Sequence, residues 1–198
     1  MAAAPKKKFL NFKTPIGVAQ YTKLDRAYKW DDNAQRSLPN PEGDMSTNLV
    51  VSTADAQPLI AVIKEAIKES GVKPKYSPYS DQLDEDEKPT GNVVFKLKAY
   101  GMKKDGTINK IVLFDANGKP VKAGVKVTSG STIRGLGYVS VGKMGARLNL
   151  RELQIINLVE REGEGFDAVE GGSYVSEDEQ EPTLGVDTKL QDDDEISF

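Results

Sequence analysis

Residues 93–100 read VVFKLKAY, and the alternation within this segment decides the class of fold. Successive side chains of a β-strand point to opposite faces of the sheet, so one face here is apolar and the other is basic. The apolar face carries Val93, Phe95, Leu97 and Ala99, and the other face carries Val94, Lys96, Lys98 and Tyr100. The segment therefore predicts a strand that packs one face in the core and presents lysines and a ring on the other.

Further segments with strand character lie on both sides of residues 93–100. They are TNLVVST (47–53), INKIVLFDANGKPV (108–121, two strands with a turn at Asn117 and Gly118), STIRGLGYVSVG (131–142) and ARLNLRELQIINLVE (146–160). Residues 73–91 contain three prolines and a run of charges, which is typical of a loop. Several short strands at close spacing favour a small barrel over a sandwich.

One helix is predicted between the early strands. Five apolar residues recur at the spacing of one helical face: Leu59, Val62, Ile63, Ala66 and Ile67. Ser52 or Thr53 is a suitable N-cap, and Gly71 is a suitable C-terminal stop. The apolar stripe indicates packing against the core and not a groove for a partner.

Opposite charges are segregated along the chain. The 198 residues include 27 Lys and Arg against 30 Asp and Glu, a net charge of -3. Residues 161–198 hold two basic residues and thirteen acidic ones, a net charge of -11, which leaves +8 on residues 1–160. The acidic segment shows neither helical nor strand periodicity. We therefore expect a folded domain with a polyanion-binding surface over residues 1–162 and a disordered acidic tail over residues 163–198.

The residue types that the sequence lacks argue against several classes of function. Because the chain has no Cys and no His, it lacks disulfides, thiolate nucleophiles and the commonest general base and metal ligand. It also lacks the glycine motifs of nucleotide-binding loops. We therefore expect a binding protein that is not an enzyme and needs no metal or cofactor. The sequence shows neither a membrane-spanning run nor a signal peptide, so we expect a cytosolic protein without a membrane partner.

Basic and aromatic residues recur together in three segments, YTKLDRAYKW (21–30), KLKAYGMKK (96–104) and IRGLGYVSVGKMGAR (133–147). Cations contact phosphates and exposed rings stack on bases, so this combination is typical of proteins that bind single-stranded nucleic acid without reading its sequence. The pattern fits DNA and RNA alike. The nucleic-acid-binding residues predicted here are Tyr21, Arg26, Tyr28, Trp30, Lys96, Lys98, Tyr100, Arg134, Tyr138, Lys143 and Arg147.

Several segments, namely VVFKLKAY, VLFDANGKPV, GSTIRGLGYVSV, GARLNLRELQIINLVE and the terminal DDDEISF, also carry a family resemblance. Together they resemble the replication single-stranded-DNA-binding proteins of short-tailed and related phages. The resemblance implies a mainly β fold, an OB-fold five-stranded barrel with one inserted helix and an acidic tail. It also implies a protein that coats and protects single-stranded DNA during phage replication, recombination and repair, in the cytoplasm of the infected bacterial host.

The tail ends in LQDDDEISF, in which four acids precede a terminal ring. A solubility tail gains nothing from an exposed aromatic, so we predict a partner-binding motif of Asp192, Asp193, Asp194, Glu195 and Phe198. The resemblance implies replication proteins such as polymerase or primase-helicase as partners. Our hypothesis is that the acids also mimic DNA phosphates and compete for the groove. A tether of about 35 residues holds the tail at roughly millimolar effective concentration.

Two questions stay open at this level. A homodimer and a monomer that coats DNA one copy at a time both fit the sequence. The chain also fits an acidic-tailed DNA mimic or chaperone-like interaction protein, whose tail would occupy a basic host protein. In that alternative the isolated tail binds the partner and the folded domain binds no DNA.

Overall fold

The computed structural model describes residues 9–122 and 124–159. Along this part of the chain, nine strands and one helix follow in order. They are β1 (Leu10–Lys13), β2 (Gly17–Asp31), β3 (Arg36–Pro39), β4 (Asp44–Ser52), α1 (Thr53–Ser70), β5 (Tyr79–Leu83), β6 (Pro89–Tyr100), β7 (Val112–Phe114), β8 (Thr132–Val141) and β9 (Ala146–Asn157). The prediction of a mainly β protein with one inserted helix is confirmed.

Five of the strands close into a ring. Strand β2 pairs antiparallel with β4 and with β8, β4 pairs with β6, and β8 pairs with β9. Strands β6 and β9 run parallel to each other and complete the circuit. Around the ring the strands come in the order first, second, third, fifth, fourth, which is the arrangement of the five-stranded OB fold. The predicted architecture is thus observed.

Four short strands extend the ring at its margins. Strand β1 pairs with β8, β3 with β2, β5 with β6, and β7 with β9. Pairing with a neighbour satisfies backbone groups that a bare edge would leave open. Strands β2 and β3 form a hairpin that extends beyond the ring, with Trp30 opposite Ser37. This hairpin forms one wall of the site described below.

The alternation predicted for residues 93–100 is confirmed. Val93, Phe95, Leu97 and Ala99 are buried inside the ring. Phe95 and Leu97 are fully buried, and each such side chain contributes about 1.5–3 kcal/mol relative to exposure. Lys96 and Tyr100 are exposed on the opposite face, and Val94 and Lys98 are partly exposed. Strand β6 therefore separates the core from an outer basic surface.

Helix α1 begins and ends where the sequence indicates. The Ser52 hydroxyl accepts a hydrogen bond from the Asp55 backbone N–H, and Gly71 ends the helix in the left-handed region at φ 65°. Leu59, Ile63 and Ala66 are buried against the ring, together with Ala56 and Ile60. Val62 and Ile67 are partly buried beside them. No helix in the described part of the chain is long and apolar enough to cross a membrane.

Two local predictions are wrong. The segment 73–91 is not one loop, because β5 and the start of β6 form a hairpin whose turn is fixed by the Asp84 carboxylate accepting from the backbone N–H groups of Asp86 and Lys88. The ring of Tyr79 packs on Phe95 at 5.8 Å between centroids and anchors this hairpin to the core. In segment 108–121 the turn at Gly118 is present, but of the two predicted strands only β7 forms.

Candidate nucleic-acid interface

A groove of about 460 Å³ lies on the outer face of β2, β4 and β6. Its residues are brought together by the strand register: Tyr28 lies opposite Asp44, which lies opposite Tyr100. Residues directly opposite one another on paired strands present their side chains on the same face. We call this site the central groove, and its lining residues are Lys23, Tyr28, Lys29, Trp30, Ser37, Glu42, Gly43, Asp44, Ser46, Lys98, Tyr100 and Arg147.

Asp44, at the start of β4, holds the central groove's main cation in place. Its carboxylate accepts two hydrogen bonds from the Arg147 guanidinium, at 3.1 and 2.8 Å. The Lys98 ammonium lies 3.7 Å from the same carboxylate. A fork of two charge-assisted hydrogen bonds fixes a guanidinium in plane and direction. Arg147 is therefore oriented before any ligand arrives.

The oriented guanidinium lies on an aromatic ring. The Cζ atom of Arg147 is 3.9 Å from the centroid of the Tyr100 ring, a cation–π stack. Its Nε atom is buried and has no hydrogen-bond partner among the described residues. Tyr100 is 50% exposed, so the pair forms a partly open, flat surface. Flat surfaces of this kind, aromatic or guanidinium, are those on which unpaired bases stack.

The hairpin of β2 and β3 supplies further rings to the central groove. Trp30 is 56% exposed, and its indole N–H donates to the Asp32 carboxylate at 3.0 Å. Tyr28 is partly buried, and the Lys23 ammonium lies 5.2 Å from the centre of its ring. A Trp that leaves more than half its surface in water in a folded domain is available to a ligand.

The groove lining has more positive than negative charge. Lys23, Lys29, Lys98 and Arg147 face Glu42 and Asp44. The Lys29–Glu42 pair is exposed on both sides at 3.1 Å, and such surface pairs contribute only about 0–1 kcal/mol. A phosphate can therefore replace the Glu42 carboxylate at Lys29 at small cost.

Gly43 allows the chain to pass close to the backbone of Tyr28 in the wall of the central groove. A Cβ atom at this position would come within 2.2 Å of the Tyr28 backbone oxygen. Only glycine therefore fits where the chain entering β4 passes Tyr28.

Of the predicted nucleic-acid-binding residues, the central groove brings together Tyr28, Trp30, Lys98, Tyr100 and Arg147. Lys96 is exposed two residues along β6 from Lys98, and both lie on the outer face of the strand. These side chains come from three segments separated by many residues in the sequence, and the ring makes them neighbours.

Two predicted residues on β2 do not line the central groove. Tyr21 is 77% exposed and lies at a register shift between β2 and β4, with φ at 49°. Arg26 lines a different cavity, and its guanidinium donates to the Asp25 carboxylate at 2.8 Å. Partial burial acts to raise the pKa of Asp25, but the hydrogen bond and charge of Arg26 hold it below its ordinary value. The charge of Arg26 is therefore balanced by the Asp25 carboxylate.

Three more predicted residues lie elsewhere around β8. Lys143 is exposed in the turn between β8 and β9. Arg134 lines cavities that it shares with Lys13. Tyr138 packs against Phe9 at 5.1 Å between ring centroids. The predicted boundary after residue 162 and the tail residues Asp192, Asp193, Asp194, Glu195 and Phe198 lie outside the described residues.

The sequence-based prediction left out several residues of the central groove. Lys23 and Lys29 belong to the basic-aromatic segment YTKLDRAYKW, so a local signal existed for both. Asp44 carried no such signal, because its partner Arg147 is 103 residues away in sequence. Within residues 9–122 and 124–159, no three acidic side chains converge in a way that could hold a metal ion.

Comparisons with known proteins bear on the fold. No protein-family model matches the sequence, and no curated protein matches it significantly. The structure is similar to that of gp2.5, a single-stranded DNA-binding protein encoded by bacteriophage T7, with a TM-score of 0.59 and 17% identity over 85% of this chain and 100% of that chain.

The structure is also similar to the single-stranded DNA-binding protein from bacteriophage Enc34. A C-terminal truncation of that protein gives a TM-score of 0.54 at 16% identity, over 76% of this chain and 87% of that chain. The complex of that protein with single-stranded DNA gives a TM-score of 0.53 at 15% identity, over 76% of this chain and 88% of that chain. The chain therefore has the fold of phage single-stranded DNA-binding proteins, as the resemblance in its sequence predicts.

Proposed function

We propose that this protein binds single-stranded DNA without regard to sequence, through the central groove. The observation that carries the proposal is the convergence of Arg147, Tyr100, Lys98 and Trp30 on the outer face of the ring. In OB folds the face of the second and third strands and the adjoining loops is the surface that binds oligonucleotides. Strands β4 and β6 are the second and third strands of this ring. The solved Enc34 complex contains single-stranded DNA, which agrees with the proposal.

The chemistry of the groove divides between rings and cations. Bases stack on Trp30 and on the surface formed by Arg147 and Tyr100. Phosphates contact Lys23, Lys29 and Lys98, which are flexible point charges without a fixed partner geometry. Because Asp44 occupies the hydrogen-bonding edge of Arg147, that residue offers its flat face to a base instead of its fork to a phosphate. None of these contacts reads base edges, so binding is indifferent to sequence.

The proposal extends to a wider role for the protein. We propose a protein that coats and protects DNA strands in phage replication, recombination and repair, in the cytoplasm of the infected bacterium, and that acts by binding, without catalysis. Its acidic tail, through residues 192–198, recruits replication proteins such as polymerase or primase-helicase and competes with DNA for the groove. The net charge of -11 on residues 161–198 supports this part, because it matches the sign of DNA. Monomers and homodimers are both compatible with this role.

The direct test is a titration of the full chain with labelled oligothymidine over a range of salt concentrations. Affinity should fall with log salt at a slope of about -0.7 per phosphate contacted. Lys64→Ala, which removes an exposed cation on α1 away from the groove, is the matched control and should leave binding unchanged. If neither the full chain nor a chain lacking residues 191–198 binds DNA, the proposal is wrong and the DNA-mimic alternative takes its place.

Deletion of residues 191–198 tests the competition by the tail. Removing four acids tethered at roughly millimolar effective concentration should tighten binding at low salt by several-fold, and the gain should shrink as salt screens the tail. Binding assays on the two chains at about 0.02 and 0.3 M salt measure the difference. An unchanged or weaker affinity of the shortened chain at low salt would contradict the competition.

A further inference from the structure

We infer that the DNA strand continues past the central groove to a second stacking site formed by Phe9, Tyr138 and Arg151. This inference rests on the proposed function and extends it to a longer strand. We call this cluster the β8 platform. It is separate from the lining of the central groove, and two of its members, Phe9 and Arg151, do not belong to the set predicted from the sequence.

The β8 platform repeats the stack of a guanidinium on a tyrosine ring that is found in the central groove. The rings of Phe9 and Tyr138 are 5.1 Å apart between centroids and tilted by 52°. The Cζ atom of Arg151 lies 4.7 Å from the centre of the Tyr138 ring, which is the arrangement that Arg147 makes with Tyr100. Phe9 is 48% exposed, and Arg151 is exposed. A ring and a guanidinium thus remain open to a ligand at this site.

A β-bulge places Arg151 on the ring. Leu136 pairs with Glu152 and Gly137 pairs with Leu150, so Arg151 is the one residue of β9 left without a partner on β8 at this point. A bulge of this kind redirects a side chain out of the regular alternation. Among the described residues Arg151 makes no ion pair, whereas Arg147 is neutralised by Asp44. Its charge is therefore free for a phosphate.

The two sites are connected along the outer surface. Arg147 pairs with Ser140, and Tyr138 lies two residues from Ser140 on β8. Neighbouring strands lie about 4.8 Å apart, and each residue advances about 3.3 Å along a strand. The backbone of Tyr138 therefore lies roughly 8 Å from the backbone of Arg147. A stacked strand rises about 3.4 Å per nucleotide, so about two nucleotides bridge this step.

The charge around the platform favours a polyanion as its ligand. Lys6, Lys7 and Lys8 immediately precede Phe9 in the sequence. The exposed ring of Phe9 together with the exposed cation Arg151 is the combination that binds unpaired nucleotides.

The test compares two lengths of oligothymidine on the full chain. A strand of about 2 nucleotides spans only about 3.4 Å and fills one stacking site, and a strand of about 16 nucleotides reaches both. Phe9→Leu retains apolar packing on Tyr138 but removes the stacking face, and Arg151→Ala removes the cation. Each should weaken binding of the long strand by about fivefold or more and leave binding of the short strand unchanged. Lys64→Ala should change neither.

The outcomes separate this inference from the proposed function. If the long strand binds the variants as tightly as the parent, or if both lengths weaken equally, the β8 platform is not a DNA site. If the parent chain binds neither length, the proposed function fails instead. Ultraviolet cross-linking of the unaltered chain gives a second measurement that needs no variant. We expect cross-links at Phe9 or Tyr138 with the long strand alone, and their absence would overturn the inference.

Discussion

Two half-buried arginines on the ring, Arg147 and Arg134, have different surroundings, and the proposed function gives them different roles. Both have a buried Nε atom without a hydrogen-bond partner in the described structure. Arg147 is fixed by Asp44 and lies on Tyr100, beside Lys98. Arg134 shares its cavities with Lys13, and among the described residues it has neither an ion pair nor a stacked ring. In the proposed function Arg147 offers a flat face to a base, because Asp44 occupies its hydrogen-bonding edge and Tyr100 lies behind it, and Arg134 has neither neighbour.

The largest expected effect is the difference in DNA affinity between the Arg147→Ala and Arg134→Ala variants. Arg147→Ala removes a stacking surface and leaves Asp44 with only Lys98, so we expect a loss of about 10- to 100-fold in affinity for single-stranded DNA. Arg134→Ala should stay within about twofold of the parent, since among the described residues no ring stacks on Arg134 and no carboxylate orients it. Fluorescence anisotropy of a labelled oligothymidine measures both. Equal losses of affinity in the two variants would show that Arg147 and Arg134 contribute alike to DNA binding.

A smaller difference is expected between two lysines. Lys98 belongs to the central groove and Lys13 to the cavities of Arg134. Removing one phosphate contact should flatten the slope of log affinity against log salt by about 0.7 for Lys98→Ala, whereas Lys13→Ala should retain the slope of the parent. A salt series on the three chains gives the slopes. A flattened slope in Lys13→Ala would show that the strand passes over Arg134 as well.

The smallest effect should come from Asp44→Asn, which keeps the shape of the side chain and removes its charge. Arg147 then loses its fixed direction but gains freedom to contact a phosphate. We expect binding at low salt to tighten by about two- to fivefold and the salt slope to steepen by about 0.7. The affinity gain should disappear at high salt. A loss of affinity at every salt concentration would mean that the orientation of Arg147 matters more than its free charge.

Local patterns predicted a good part of the fold. The alternation in β6 and the capped apolar face of α1 are short-range signals, and both match the structure. Strand β5 was missed because prolines and acids surround it, and its pairing depends on Tyr79 packing on Phe95, 16 residues further along the chain. The long strand β2 has no clean alternation because its register with β4 shifts twice between Gln20 and Tyr28.

The candidate site was harder to predict than the fold. Its aromatic and basic residues have local signals in three segments, yet only the ring closure decides which of them meet. Arg26 and Lys23 are three residues apart on β2, but only Lys23 lines the central groove, since the register of β2 with β4 shifts between Lys23 and Tyr28. The Asp44–Arg147 pair depends on strands β4 and β9, which the sequence alone does not bring together.

Trp30 is the single Trp of the chain and lies in the central groove, so its fluorescence reports on the proposed site itself. Titration of the full chain with oligothymidine should quench this fluorescence to saturation, and added salt should reverse the quenching. The parallel titration of Arg147→Ala should need at least about tenfold more DNA. Binding of DNA that leaves the Trp30 signal unchanged would place the strand elsewhere and contradict the account.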